Sequence, residues 1–191
     1  KANRSIPPLN YEFVKKITSY SSIKFKPLLS RNKNFVDTIG IIIAASGNEK
    51  RWSIQNYINV IEYLSKKKND KFLIISGIDQ LEEERTIYEK FKNKLKITYS
   101  SDKKIDEIIP HLLKCKFCIG NDTGFSHLSV NFDIETIVLY GDCPPQNYSN
   151  LIHVIDIDHD VKRSSHSINT IKVDKVLRFI ENFLKFSKDK F

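Results

Sequence analysis

The chain has 191 residues, 40% hydrophobic and 28% charged, a balance that fits one good-sized globular domain with a core of its own. No apolar run approaches the ~20 residues that a membrane-spanning helix needs, and the opening KANRSIPPLN lacks the apolar stretch of a signal peptide. A formal charge of +8, from 31 Lys and Arg against 23 Asp and Glu, favours anionic partners, although a bias toward Lys, Asn and Ile codons accounts for the same excess. The positive charges are spread along the chain without the dense block of a nucleic-acid tail, so no nucleic-acid partner is expected. Three cysteines are too few for a disulfide framework. Cys115-Lys-Phe-Cys118 spells C-x-x-C, but it runs from a helical pattern into a strand and has no second pair for zinc. The thiols are read as buried, in a reducing, cytoplasmic setting. A chain that begins at Lys1 and contains no Met is read as a fragment or a processed product.

Residues 1–37 carry two adjacent prolines, a short helical pattern and a polar connector, and read as an arm or interdomain linker. From residue 38 to 191 strands and helices alternate. Thr38–Ala44, TIGIIIA, is a continuous apolar run of strand length, and Ile54, Tyr57, Ile58, Ile61 and Leu64 follow at helical spacing. Lys71–Ser76 is the next strand, Leu81 to Phe91 a charged amphipathic helix, and Leu95–Ser100 a third strand. Ile105, Ile108, Ile109 and Leu112 mark a helix. Phe117–Gly120 is a strand, with a short helix expected to start near Thr123. Thr136–Tyr140 and Ile152–Ile157 are the last two strands, and a helix over Val173 to Phe186 closes the pattern. Continuous apolar strands separated by helices imply a parallel sheet covered on both faces, an α/β fold with Rossmann-like, doubly wound connections. Ligands of such sheets bind beyond the carboxyl ends of the strands. The segments Ala45–Trp52, Gly77–Glu84, Asn121–His127 and Gly141–Gln146 all follow strands, so they converge on one edge.

Asn121–His127, NDTGFSH, places an acid, a hydroxyl, a glycine and an imidazole where a strand becomes a helix. A helix start offers free N–H groups and a positive dipole end, Gly124 lets a ligand approach the backbone, and Thr123 adds a hydroxyl. The same residues also read as an ordinary helix cap by Asp122 or Thr123. His127 falls one turn into the helix, near Thr123 and Gly124, and reads either as a ligand to an anion or sugar hydroxyl or as a partly buried histidine facing the sheet. After the first strand, Ser46, Gly47 and Lys50 are candidates for a phosphate, although neither a G-x-x-x-x-G-K-[ST] nor a G-x-G-x-x-G pattern occurs. The acidic Asp156–Asp160 reads as solvated loop rather than a metal centre, and no metal or cofactor is expected.

Three stretches resemble glycosyltransferase family nine, the ADP-heptose:lipopolysaccharide heptosyltransferases. They are NDTGFSHLSVNFDIETIVLYGDCPP (Asn121–Pro145), EKRWSIQNYINVIEYL (Glu49–Leu64) and SGIDQLEEER (Ser76–Arg85). Where that family's blocks carry Pro after Trp, a small pair after His-Leu and Pro-Thr after the Tyr-Gly, this chain has Ser53, Ser129-Val130 and Asp142-Cys143. The resemblance implies the carboxyl-terminal, donor-binding half of a two-domain GT-B fold. By position, Ser46, Lys50, Asp122, Thr123, Gly124 and His127 would hold the donor's diphosphate and sugar. Glu82 would meet the ribose, and the backbone near Lys103 the adenine. The implied reaction is inverting, metal-independent transfer of a sugar, heptose in the type case, from a nucleoside-diphosphate donor such as ADP-heptose. The acceptor would be lipopolysaccharide core or a related glycan, at the cytoplasmic face of the inner membrane. The acceptor site and the acidic base are expected in an amino-terminal domain outside this sequence, so no catalytic residue is assigned within it. Two other readings stand beside this one: a non-catalytic nucleotide- or glycan-binding module, and a GT-B transferase with a different donor sugar.

Overall fold

A computed structural model describes residues 37–67 and 71–186. The arm expected over residues 1–37 lies outside the described residues except for Asp37. Six strands form one sheet: β1 (Thr38–Ile42), β2 (Lys71–Ile75), β3 (Lys96–Tyr99), β4 (Cys115–Asn121), β5 (Glu135–Tyr140) and β6 (Ile152–Asp156). The spatial order is β3-β2-β1-β4-β5-β6, and every neighbouring pair is parallel. This is the Rossmann-like, doubly wound order read from the alternating pattern. The chain reverses its winding direction between β1 and β4, where Ile41 lies opposite Ile74 on one side and Ile119 on the other.

Five helices cover the sheet among the described residues: α1 (Ile54–Ser65), α2 (Leu81–Phe91), α3 (Ile105–Leu112), α4 (Gly124–Asn131) and α5 (Val173–Phe186). Alternate strand residues feed two apolar layers, because successive side chains point to opposite faces. On one face Ile39, Ile41, Phe117, Ile119 and Leu139 pack under Tyr57, Ile61 and Leu64 of α1, Ile87 of α2 and Val176, Ile180 and Phe183 of α5. On the other, Ile42, Leu73, Ile75 and Cys118 meet Ile108 and Leu112 of α3, and Val138 and Tyr140 meet Val130 of α4. Cys115 and Cys118 are both buried free thiols within β4. Burying these β-branched side chains on both faces, at roughly 25 cal/mol per Å² of apolar surface, is what makes the strands continuous apolar runs.

Strand ends differ from the sequence reading by at most two residues. β4 is the longest discrepancy: it runs from Cys115 to Asn121, whereas the apolar run suggests Phe117–Gly120. The ladder continues to Asn121 opposite Leu139 because a buried carboxamide there has partners for its polar atoms. Among the described residues, no helix is long and apolar enough to cross a membrane.

Candidate functional site

The crevice between the carboxyl ends of β1 and β4 is built around Asn121, which is fully buried. Its Nδ2 donates to the carbonyl of Ile43 at 2.8 Å, and its Oδ1 accepts from Tyr57 Oη at 2.8 Å and from Trp52 N–H at 3.2 Å. One side chain thus ties the end of β4 to the segment that leaves β1. Trp52 is fixed further by its Nε1–H, which donates to Ile171 O at 2.9 Å, and by an edge-on contact with the Tyr57 ring at 5.1 Å. The segment carrying Ser46 to Lys50 is therefore clamped at its distal end against β4 and the chain before α5.

Asp122 to Gly124 follow at once. Thr123 occupies the position before α4 in an extended conformation (φ −153°, ψ 164°), and its hydroxyl makes no capping hydrogen bond. The first helical bond runs from Ser126 N–H to Thr123 O at 3.0 Å, so the amides of Gly124 and Phe125 precede the ladder. A Cβ built on Gly124 would meet nothing within 4 Å. The protein's own packing does not demand a glycine there, and its absence of side chain leaves the helix start open to a ligand. Ser126 and Ser129 face inward, donating to Asn121 O at 2.7 Å and Phe125 O at 2.8 Å.

His127 sits one turn into α4, half-buried, with both ring nitrogens engaged. Nε2 lies 3.1 Å from Asp122 Oδ1, and Nδ1 lies 2.8 Å from Tyr148 Oη. A carboxylate can only accept, so the neutral ring carries its proton on Nε2 and Nδ1 accepts from the phenol. Burial, with the nearby Asp122 charge, pushes the Tyr148 hydroxyl up to about 12, so it stays a protonated donor. The Tyr148 and His127 rings lie 5.7 Å apart, tilted at 34°.

Lys50 reaches across the crevice mouth. Its ammonium stands 3.3 Å from Asp142 Oδ2, on the loop after β5. That hydrogen-bonded carboxylate, helped by the Cys143 and Asp122 charges, holds the ammonium above its usual pKa. Burial lifts the Cys143 thiol, with the Asp142 charge adding to it. Ser46 is exposed on the same segment.

Beside this anion-facing half lies a cavity of about 410 Å³ at the ends of β1 and β2, lined by residues that include Asn48, Arg51, Ser53, Gln80 and Glu83. Arg51 pairs there with Asp79 and, at 3.4 Å, with Glu83. Gln80 is anchored by Nε2–H donation to Ile43 O at 2.9 Å. Glu82 points elsewhere: it is exposed on α2 and does not line this cavity, and neither does Lys103, which pairs with Asp102 on the turn after β3. A second cavity, about 360 Å³, lies at the amino ends of the strands beside Asp37, Lys71 and Lys114, away from every residue singled out above. The acidic stretch after β6 is engaged in ion pairs, Asp156 with Arg163 and Asp158 with Lys175, and no group of three potential metal ligands occurs among the described residues.

The structure therefore brings Lys50, Asp122, Thr123, Gly124 and His127 to one crevice, with Ser46 on its rim, and leaves Glu82 and Lys103 outside the adjoining cavity. Asn121, Tyr148, Arg51 and Glu83 are residues that sequence reasoning did not name as candidates, and Asp142 was noted only as a departure from the family block. An open helix start facing a lysine, beside a cavity rimmed by Arg51, Gln80 and Glu83, can seat an anionic group joined to a polar ring system.

The sequence matches glycosyltransferase family 9 (heptosyltransferase) over residues 13–167. Among solved structures, the fold is similar to a family 9 glycosyl transferase from Veillonella parvula DSM 2008, with a TM-score of 0.73 and 16% identity over 97% of this chain and 61% of that one. It is also similar to the E. coli heptosyltransferase WaaC with ADP-2-deoxy-2-fluoro heptose, with a TM-score of 0.68 and 18% identity over 90% of this chain and 54% of that one. The E. coli ADP-heptose LPS heptosyltransferase II gives a TM-score of 0.67 at 19% identity, covering 81% of this chain and 48% of that one. The chain thus spans roughly half to three-fifths of the length of these structures, and no protein of curated function matches its sequence. With a family match running over most of the sequence and a Rossmann-like sheet similar to those of heptosyltransferase structures, the chain belongs to glycosyltransferase family 9, the heptosyltransferases.

Proposed function

We propose that this chain forms the donor-binding half of a glycosyltransferase that takes a sugar, heptose in the first instance, from a nucleoside diphosphate and transfers it to a surface-glycan acceptor such as lipopolysaccharide core. The observation that carries the reading is the convergence of Lys50, the open start of α4 and the Asp122–His127 pair at the β1–β4 switch point. A similar structure, WaaC, is described with ADP-2-deoxy-2-fluoro heptose, which supports a nucleotide-sugar as the donor class. In this reading the diphosphate lies on the Gly124 and Phe125 amides and Lys50, and the His127 Nε2–H, which donates to Asp122 in the structure, exchanges that carboxylate for a phosphate or sugar oxygen. The nucleoside extends into the cavity beside Arg51 and Glu83, and because Glu83 lines that cavity and Glu82 does not, this reading assigns the ribose hydroxyl to Glu83.

Transfer inverts the anomeric centre. An acceptor hydroxyl attacks the anomeric carbon, the bond to the diphosphate oxygen breaks, and the charge that develops on the leaving group is taken by Lys50 and the helix amides. No metal is required for that task. The base that removes the acceptor proton, and the acceptor site, come from the partner half of the two-domain fold, at the inner face of the inner membrane.

Calorimetry with ADP tests the reading. Wild type binds ADP equally well with and without excess chelator. Lys50→Ala weakens binding by about 1.5–3 kcal/mol, the scale of a hydrogen bond to a charged group, while the circular dichroism spectrum is unchanged. A folded Lys50→Ala variant with unaltered affinity, or a loss on chelation that Mg²⁺ restores, rejects the assignment.

A further inference from the structure

Asp142 is the feature that the donor-site reading leaves unexplained. A lysine that serves an incoming diphosphate is already paired, 3.3 Å from a carboxylate on another loop, with the two side chains 32% and 24% exposed.

The carboxylate is held in place. Arg163 donates through Nη1 to the carbonyls on both sides of Asp142, Gly141 O at 3.2 Å and Cys143 O at 2.8 Å, and pairs through Nη2 with Asp156. Gly141 is pressed so close to the next layer that a Cβ on it would fall 2.4 Å from Ile168 N. The backbone positions on both sides of Asp142 are thus pinned from behind, with the Asp142 side chain projecting toward Lys50. Of the two partners, the long lysine is the one free to move. A diphosphate that took up the ammonium would come within a few ångströms of both Asp142 and Asp122, and like charges at that separation repel strongly in a half-buried crevice.

From this geometry we infer that Asp142 is an internal competitor for the diphosphate: its carboxylate occupies the Lys50 ammonium until a phosphate displaces it, and donor affinity is held down as a result. The inference rests on the reading of Lys50 as a phosphate ligand. It assigns Asp142 a sign opposite to that of a residue that merely steadies Lys50, because removing a competitor strengthens binding whereas removing a support weakens it. The benefit of such an arrangement is release, since a tightly held nucleoside diphosphate after transfer would slow turnover.

The test uses the full chain and ADP as probe, by calorimetry at low and at physiological salt, with wild type, Asp142→Asn, Lys50→Ala and the double variant. Asp142→Asn keeps the shape of the side chain and the Arg163 clamp. It is expected to tighten ADP binding about five- to tenfold, the combined scale of a lost ion pair and a removed like charge. The gain should be smaller in the Lys50→Ala background. In parallel, mass spectrometry after brief acetic anhydride treatment should show Lys50 acetylated faster in Asp142→Asn than in wild type, because the ammonium loses its counter-ion. Unchanged or weaker ADP binding by a folded Asp142→Asn variant overturns the competitor role while leaving the donor site standing. If neither wild type nor Asp142→Asn binds ADP, the donor reading falls and takes the competitor role with it. Equal acetylation rates overturn the ion pair itself.

Discussion

The turn after β2 and the turn after β4 are built alike but engage their acids differently. Each leaves the carboxyl end of an inner strand, enters a helix, and carries acids within a few residues. After β2, Glu84 is buried, and its carboxylate accepts from Ser76 Oγ and, at 2.6 Å, from Ser101 Oγ. Ser76 N–H in turn donates to Ser100 Oγ at 3.0 Å. The group of hydroxyls and one acid is closed upon itself and joins β2 to β3. After β4 the buried polar residue is Asn121, and the acid that follows it, Asp122, keeps 21% of its side chain exposed and pairs with the His127 imidazole. The difference teaches that an acid at a strand end is scaffold when its lone pairs are consumed by the protein. It is a site candidate when they are not. Burial and partner count separate the two where spacing cannot.

The sharpest way to break this comparison is to remove the two acids' neighbourhoods in turn. Glu84→Ala strands the Ser76 and Ser101 hydroxyls beside a void, and should destabilise the fold by about 2–3 kcal/mol in urea titration without changing ADP affinity per folded molecule. An ADP effect at that position would place the Glu84–Ser76–Ser101 cluster in the site as well. Tyr148→Phe takes one hydrogen bond from His127 and should cost about 1 kcal/mol of stability. The Tyr148 phenol is raised to about 12 in the folded chain. Its stabilising contribution is therefore complete below the ordinary phenol value, about 10, and lost as pH rises through the folded value. The difference between wild type and Tyr148→Phe should accordingly shrink in strongly alkaline urea titrations. Thr123→Ala is the smallest in stability and the most telling. A true helix cap would cost about 1 kcal/mol, but the Thr123 hydroxyl makes no capping bond. The loss should stay below about 0.5 kcal/mol, and ADP binding should weaken. A full capping loss with intact ADP binding would return this residue to the scaffold.

Much of the fold was legible because its signals are local. Thr38, Lys71 and Ile152 open strands where the apolar runs begin, and α2 and α5 span Leu81–Phe91 and Val173–Phe186 as the helical spacing indicated. The parallel order follows from alternation and handedness alone. The ladder's extension to Asn121 was hidden because a polar side chain ends an apolar run, and its burial depends on Tyr57, Trp52 and Ile43, 64 and more residues away in sequence. Of the candidate site, Asp122 to His127 could be read from one contiguous block. Tyr148 and Asp142 could not, because a phenol and a carboxylate in a loop have no local pattern, and their meaning lies in the His127 and Lys50 atoms they face. Glu82 and Glu83 show the same limit at one-residue scale. Adjacent helical positions differ by about 100° in direction, so identical chemistry points at the cavity from one and at solvent from the other.

The Asn121 carboxamide joins the carbonyl of Ile43, the phenol of Tyr57 and the amide of Trp52. In the language of hydrogen exchange, the Trp52 amide belongs to a strand although its backbone belongs to a loop: releasing it requires undoing β1, β4 and α1 together. The segment that carries Lys50 is therefore bounded on its far side by a residue tied to β1, β4 and α1 at once. Any rearrangement of the segment that leaves β1 meets a fixed point at Trp52, with Ala45 to Arg51 as the residues before it.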